Sequence, residues 1–240
     1  MIVALDAHHS KCYHLGMGKN VSKSSLARAN QDRNYHIFED YAYYLVSEAR
    51  KKRITNVFNL GGNIFAFDST TIDLCLSVFW SAKFRKRKGG IKVHTLYDVE
   101  TQIPIFFHIT EASVHDSKVM KEIPHEPGSY YIFDRAYNNF KMLYKIHQIE
   151  AHYVVRAKKN LQCKSIRWKR RLPKNVLSDM EIELTGFYPK QYYPETLRLV
   201  KYWDEEQKHE FVFLTDAMHI SALQVAELYK NRWQVELFFK

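Results

Sequence analysis

Glycine and proline are scarce in this chain, 8 and 6 of 240 residues, which excludes a Gly/Pro-rich disordered polymer. Cysteine is scarcer. Cys12, Cys75 and Cys163 are scattered and odd in number, so no disulfide framework is implied. None stands in a CxxC pair, which argues against a structural zinc site. No apolar run approaches the roughly 18 residues of a membrane span. Met1–Leu5 is too short, and Asp6–Lys11 too polar, for a signal peptide. These absences predict a cytoplasmic protein with reduced thiols and no membrane partner.

Negative charge is also in deficit. Against 36 Lys+Arg there are 26 Asp+Glu, a formal net charge of +10. Such an excess favours a polyanionic partner, most commonly nucleic acid; a merely basic, soluble protein is the alternative. What the chain has in quantity is hydrophobic (46%) and aromatic (15%) residues. That suffices to bury one sizeable core with a small appended domain. Both ends read as interior sequence: MIVALDAHHSKCYHLG has no start signal, and Lys240 interrupts a helical pattern without a Gly or Pro stop. A fragment of a longer chain is expected.

Residues 22–53 read as helical, with Ser22 or Ser24 capping a short helix through Asn30. A longer helix follows from about Tyr35 to Arg53. Its apolar positions Ile37, Tyr41, Tyr44 and Leu45 follow a helical spacing, and it ends in Arg50, Lys51, Lys52 and Arg53. VSKSSLARAN reads either as the recognition helix of a helix-turn-helix or as an ordinary packing helix. From Asn63 the pattern turns to short strands: NIFAFDSTTI, then GGIKVHTLYDV and IPIFFHITEA around a turn at 98–102. A helix opening at Ser113 or Asp116, the strand SYYIFD, a helix from about Asn138 to Ile149 and the strand AHYVVRAK complete an α/β layer arrangement. Residues 157–215 are β-rich and break the alternation, so they read as an insertion. SALQVAELYKNRWQVELFFK then reads as one long amphipathic helix capped by Ser221, with Trp233 and Leu237 on its apolar face.

Asp68 in FAFD and Asp134 in YYIFD each sit at an apolar strand's end. A carboxylate buried there is costly without a cation or hydrogen bonds, so two of them in one sheet could converge on one ion. The plain reading of either alone is an Asp capping the next turn. In the last helix Tyr229, Arg232, Glu236 and Lys240 fall on one face at i, i+3, i+7 and i+11. Spacing alone leaves two readings open, a chemical stripe or a solvated face with Arg232–Glu236 and Glu236–Lys240 ion pairs.

The segment Tyr229-x2-Arg232-x3-Glu236 resembles the Y-x2-R-x3-E (YREK) signature of bacterial insertion-sequence transposases with a DDE triad. Asp68-Ser69-Thr70 and Asp134-Arg135-Ala136-Tyr137 are similar to that family's strand-end motifs. Gly90-x-Lys92-x-His94 and Val114-His115-Asp116-Ser117 are similar to its intervening stretches. The likeness runs from about His14 to Lys240. The family's pattern carries a further Lys that this chain does not reach, and Lys240, one turn beyond Glu236, is not that Lys.

The resemblance implies a ribonuclease-H-like fold, with a helical segment over 1–60, a remnant of a DNA-binding domain, and a catalytic domain over 61–240. It implies Asp68, Asp134 and Glu236 around two Mg2+ ions, with Mn2+ able to substitute, since hard cations want carboxylate oxygens. The implied reaction is cleavage at the ends of an insertion sequence and strand transfer into target DNA. The implied partners are double-stranded DNA, as terminal inverted repeats and target, and a second copy in a DNA-bound homodimer; the implied place is the bacterial nucleoid. Arg232 and Lys240 are assigned to DNA phosphates, and Tyr229 to phosphate or base contact. Further DNA contact is assigned to Lys83, Arg85, Lys86, Arg87 and Lys88, and to Trp168 and Arg170 in the insertion; a solvated loop with a buried Trp is the alternative for the latter. His94 and His115 are left out of the catalytic set. Two rival readings stand: a catalytically inactive DNA-binding remnant of such a transposase, and a stand-alone nuclease of the same fold.

Overall fold

The computed structural model describes residues 7–16, 22–51, 58–74, 83–85 and 88–240, in two compact units, residues 1–51 and 52–240. In the first unit a helical turn, His9–Cys12, runs into a 3-10 turn, Tyr13–Leu15, ended by Gly16 in the left-handed region at φ 73°. Helix α1 (Lys23–Asp32) starts at Ser22, whose hydroxyl accepts from the Ser25 amide. Helix α2 (His36–Lys51) carries Glu39 in its first turn and Arg50 and Lys51 in its last, matching the helix dipole. Neither buries a residue, and Ile37, Tyr41, Tyr44 and Leu45 of the expected apolar stripe are exposed. Lys52 and Arg53, like Cys75, lie outside the described residues.

The second unit begins with β1 (Ile64–Leu74), β2 (Lys83–Arg85), β3 (Lys88–Asp98), β4 (Ile103–Glu111), a 3-10 segment (Asp116–Glu122) and β5 (Tyr130–Phe133). It continues with α3 (Phe140–Gln148), β6 (His152–Arg156), β7 (Cys163–Trp168), β8 (Val176–Leu184), α4 (Phe187–Tyr192), β9 (Leu197–Asp204) and β10 (His209–Thr215). Helices α5 (Ala222–Lys230) and α6 (Trp233–Phe238) close it. Among the described residues the strands form one 10-stranded sheet, ordered β2-β3-β1-β5-β6-β10-β9-β8-β7 with β4 on β3. Strands β1, β3 and β4 form an antiparallel meander, and β5 and β6 run parallel to β1. Three antiparallel strands followed by two parallel ones, with helices on the faces, is the mixed α/β arrangement of a ribonuclease-H-like core. The β-rich stretch continues this same sheet, β10 pairing antiparallel with β6 and leading outward to β9, β8 and β7.

Strand alternation decides what each face of β1 meets. Ile64 and Ala66 join Tyr130, Ile132, Val154 and Phe213 in a core closed by Val225, Leu228, Tyr229 and Val235 of the last two helices. Phe65 and Phe67 look to the other face, where Phe67 packs edge-on against Phe133 and Tyr137, with ring centroids 6.2 and 5.3 Å away. The β3–β4 turn is fixed by the Asp98 carboxylate, which accepts from the Glu100 and Thr101 amides, with Gln102 at φ 58°. Ahead of β1, a side chain on Gly62 would collide with the Gly128 carbonyl, so only glycine lets these two segments approach.

Two polar clasps tie the β-rich stretch to the helix that follows it. Arg198, 1% exposed, donates from Nε and Nη2 to both Asp179 oxygens at 2.7 and 2.8 Å. Its Nη1 donates to the Ala217 and Ile220 carbonyls at 3.0 and 2.6 Å. A buried charge so fully satisfied holds the loop that delivers Ser221, which opens α5 with a complete capping box shared with Gln224. The second clasp centres on buried Asp216, which accepts from the Tyr153 amide at 3.0 Å and faces the rings of His147 and His152 at 2.9 and 3.3 Å. His147 presents its other nitrogen to Glu195 at 3.0 Å, so both ring nitrogens face carboxylates and both must donate. Asp216 foremost, and then Glu195 against the opposing effect of burial, raises His147 from 6.5 to about 9. Burial pushes the Asp216 carboxyl up, but His147, His152 and the Tyr153 amide outweigh it and leave it below the ordinary range.

A histidine raised in this way stabilises the fold fully below its unfolded value near 6.5 and loses that contribution as pH climbs through about 9. The thermal midpoint is therefore expected to fall between pH 7 and pH 10, and His147→Gln to flatten that fall. A melting profile with the same alkaline slope in the variant would contradict the clasp.

Candidate active site

Asp68 does not end a strand. Strand β1 runs on to Leu74 against β3, but its parallel pairing with β5 stops at Phe67↔Phe133. Asp68 is thus the first residue of β1 with no strand partner on that side among the described residues, and Asp134 is the first residue past β5. The two strand-end aspartates are neighbours because their strands are. By alternation Asp68 continues the face of Ile64 and Ala66, the face covered by α6.

The terminal segment is not one helix. At Asn231–Arg232 the ladder tightens to three-residue steps: the Asn231, Arg232 and Gln234 amides donate to the Leu228, Tyr229 and Asn231 carbonyls at 3.0–3.1 Å. The Asn231 side chain is the cause. Its amide group donates to the Glu227 carbonyl at 2.8 Å and its oxygen accepts from Gln234 at 2.7 Å, competing with the backbone for partners. The break turns Trp233 and Leu237 outward, 52% and 47% exposed, against the continuous apolar stripe expected of them, and leaves Val235 buried. It also draws Tyr229, Arg232 and Glu236 onto the strand ends.

Arg232 donates from Nη1 to Asp68 Oδ2 at 3.0 Å and from Nη2 to Glu236 Oε1 at 2.6 Å. Tyr229, buried against Phe213 at 4.7 Å between ring centroids, donates its hydroxyl to Asp134 Oδ1 at 3.3 Å. Asp68 Oδ1 accepts from the Ser69 amide at 2.8 Å. Burial pushes the Asp68 carboxyl up to about 6; the Ser69 amide and Arg232 pull it down, while Glu236 and Asp134 push it further up. Burial, with Asp134 beside it, raises the Tyr229 phenol to about 12. Tyr229 therefore faces the carboxylates, not solvent, and stays protonated at neutral pH.

The other predicted residues are placed as follows. Lys240 is exposed at the end of α6. Trp168, at the end of edge strand β7, is 59% exposed, and Arg170 is exposed close by, so the Trp is not buried in the insertion. Lys83, Arg85 and Lys88 belong to β2 and β3, and Lys86 and Arg87 lie outside the described residues. His94 is a buried sheet residue bonded to Thr110 at 2.9 Å and lowered to about 4 by burial, and His115 caps the 3-10 segment.

Sequence reasoning gave no role to Arg156, although the same strand-end logic that singles out Asp68 and Asp134 applies to it. It closes β6 in HYVVR, stands 4.7 Å over the Phe211 ring and meets His209 at 2.7 Å. With Tyr229, Arg232, Phe211 and Trp233 it lines a groove of about 1000 Å³ that Asp204, Glu205 and Glu206 also line.

No three His, Cys, Asp or Glu side chains among the described residues are gathered tightly enough to enclose one ion. The donor set nonetheless suits a hard divalent cation. Asp68 and Glu236 already share one cationic group, Asp134 adds a third carboxylate, and the raised Asp68 is a partly buried oxygen donor whose ionised form wants more positive charge.

The family model described as a transposase DDE domain matches residues 59–240. The chain is 32% identical over 179 residues to the transposase designated y4zB of Sinorhizobium fredii, covering 72% of this chain and 49% of that protein. It is 26% identical to a transposase designated for insertion sequence element IS5377 of Geobacillus stearothermophilus, covering 72% and 46%. A transposase designated for element IS4SA of Synechocystis is 24% identical, covering 93% and 62%. The chain spans about half the length of the first two of these relatives.

With a folded value near 6 against 3.8, Asp68 keeps its proton in the folded protein where the unfolded chain has lost it, so its ionisation destabilises the fold as pH rises between those values. In chelator, Asp68→Asn is expected to raise stability at pH 7.5 by on the order of 1–3 kcal/mol, with the gain fading toward pH 4. Melting curves that show a loss at pH 7.5 would place the carboxylate in a compensated environment instead.

Proposed function

The chain belongs to the transposase DDE domain family, and from that premise we propose that it is the catalytic core of an insertion-sequence DNA transposase. The reaction is cleavage of double-stranded DNA at terminal inverted repeats followed by strand transfer into a target. The observation that supports this reading is a pair of linked contacts: Arg232 bridges Asp68 and Glu236, and Tyr229, three residues before it, bonds Asp134. The Tyr-x2-Arg-x3-Glu spacing supports placing the chain in the YREK group.

Asp68, Asp134 and Glu236 would hold Mg2+, or Mn2+ in its place. Such ions, when bound, lower the pKa of an attacking water or hydroxyl and neutralise charge on the departing oxygen. The rest is the work of this chain's own groups. Among the described residues Arg232 is the cation bonded to two of the carboxylates, so a phosphate brought to them meets a guanidinium already held at the site. Tyr229 keeps its proton at neutral pH and so offers a donor, not a charge, beside Asp134. Arg156 brings a second guanidinium to the same groove. Further DNA contact is assigned to Lys83, Arg85, Lys86, Arg87 and Lys88, and to Arg170, Trp168 and Lys240. Joining two element ends requires two such cores, hence a homodimer on DNA, and the reaction places the protein at the bacterial nucleoid. Residues 1–60 are assigned to DNA binding, ahead of a catalytic domain spanning 61–240.

The test is cleavage of a labelled duplex carrying the element's inverted repeat, with Mg2+ present. Wild-type protein is expected to nick it, and Asp134→Ala and Glu236→Ala to fall to background while still retarding the duplex in a salt-sensitive way. Cleavage persisting in either variant would overturn the triad, and binding without cleavage by the wild type would make the chain an inactive remnant.

A further inference from the structure

Asp68 has a neighbour that looks the other way. By alternation Ser69 continues the face of Phe65 and Phe67, opposite the carboxylates, and pairs across the ladder with His94 of β3. There its hydroxyl donates to Asp116 Oδ1 at 3.0 Å. The same oxygen accepts from Lys92 Nζ, also at 3.0 Å, and Lys92 donates in addition to the Val114 carbonyl at 2.9 Å. Lys92 and Asp116 are mostly buried, with 15% and 25% of their side-chain surface exposed. The ion pair and its two further bonds therefore staple the loop at 113–117 to β1 and β3 one residue from Asp68.

Ser69 works in two directions. While its hydroxyl is held by Asp116, its amide donates to Asp68 Oδ1 at 2.8 Å. Fixing the hydroxyl fixes the residue that supplies the amide, and the amide selects which carboxylate oxygen of Asp68 is tied to the backbone and which, Oδ2, is left for Arg232. This matters at this position because β1 has just lost its partner β5 there, so the ladder on that side no longer holds the backbone. Tyr137, of the Asp-Arg-Ala-Tyr stretch, packs its ring on Phe67 and Phe133 beside the same cluster.

We propose that Lys92, Asp116 and Ser69 form a positioning unit for Asp68, setting the orientation in which its carboxylate receives the divalent cation. This rests on the reading of Asp68, Asp134 and Glu236 as the cation site. It gives a physical task to two stretches, Gly90-x-Lys92-x-His94 and Val114-His115-Asp116-Ser117, whose members touch neither Arg232 nor Glu236 in any bond described above. The loss of such an outer partner typically weakens metal affinity about 10- to 100-fold without removing a ligand.

The experiment measures Mn2+ binding to the protein in the absence of DNA, by the electron paramagnetic resonance signal of free Mn2+, for wild type, Asp116→Asn, Lys92→Met, Lys92→Arg and Ser69→Ala. Ser69→Ala is the mildest probe, since it deletes the hydroxyl link and keeps the amide. The expected result is Mn2+ affinity about 10- to 100-fold weaker in Asp116→Asn, Lys92→Met and Ser69→Ala, partly restored by Lys92→Arg. The thermal midpoint of Ser69→Ala and chelator-insensitive DNA binding should stay near wild type, whereas Asp116→Asn and Lys92→Met, each of which leaves one partner of a mostly buried ion pair alone, lower the midpoint. Wild-type affinity in folded Asp116→Asn and Ser69→Ala would overturn the proposal and leave the cluster as a loop anchor. Failure of the wild type to bind Mn2+ would overturn the cation site itself, and the positioning unit with it.

Discussion

One guanidinium organises the second unit. Arg232 reaches back 164 residues to Asp68 and four residues on to Glu236. A partly buried carboxylate such as Asp68 on the covered face of a sheet calls for compensation, and Arg232 supplies part of it, leaving the carboxyl raised to about 6. For that contact to exist, β1 must outrun β5, the last helix must break at Asn231, and α6 must lie across β1. Each condition has its own local cause: the short apolar run Tyr130–Phe133, the Asn231 side chain competing for backbone partners, and the buried Val235.

The β-rich stretch acquires a mechanical meaning in this arrangement. It widens the sheet beyond β6 and returns to the core through the loop at 216–221. Arg198 and Asp216 hold that loop from opposite sides, one with a guanidinium on carbonyls and the other with a carboxylate among histidines and an amide. Ser221 then starts α5 in a fixed place, and Tyr229 lies two turns along it. The stretch between the second aspartate and the last two helices thus aims α5, the helix that carries Tyr229.

Much of this was legible in the sequence. Apolar runs of four to eight residues located the strands, Ser221 marked its helix, and the carboxylate after YYIF marked a strand end, whereas the one after FAF marked only where β1 loses its partner β5. Three things were not. A period near 3.6 does not reveal that Asn231 takes two helical partners for itself, so the terminal helix read as continuous and Trp233 and Leu237 as inward. Alternation says which face Ser69 occupies but not that Asp116, 47 residues on, meets it there. Nor could a pattern show that Asp216 would gather two histidines, since His147 and His152 stand on different elements. Pairings of long sequence separation are set by sheet order, and sheet order is written in no single segment.

The proposal on which the rest depends is that Asp68, Asp134 and Glu236 together hold the divalent cations. Fe2+ bound in place of Mg2+, with ascorbate and peroxide, generates radicals that cut the polypeptide within a few ångströms of the ion. The account predicts cuts confined to three segments, around residues 68, 134 and 236, and suppressed by excess Mg2+. Cuts elsewhere, or at one of these segments without the other two, would contradict it.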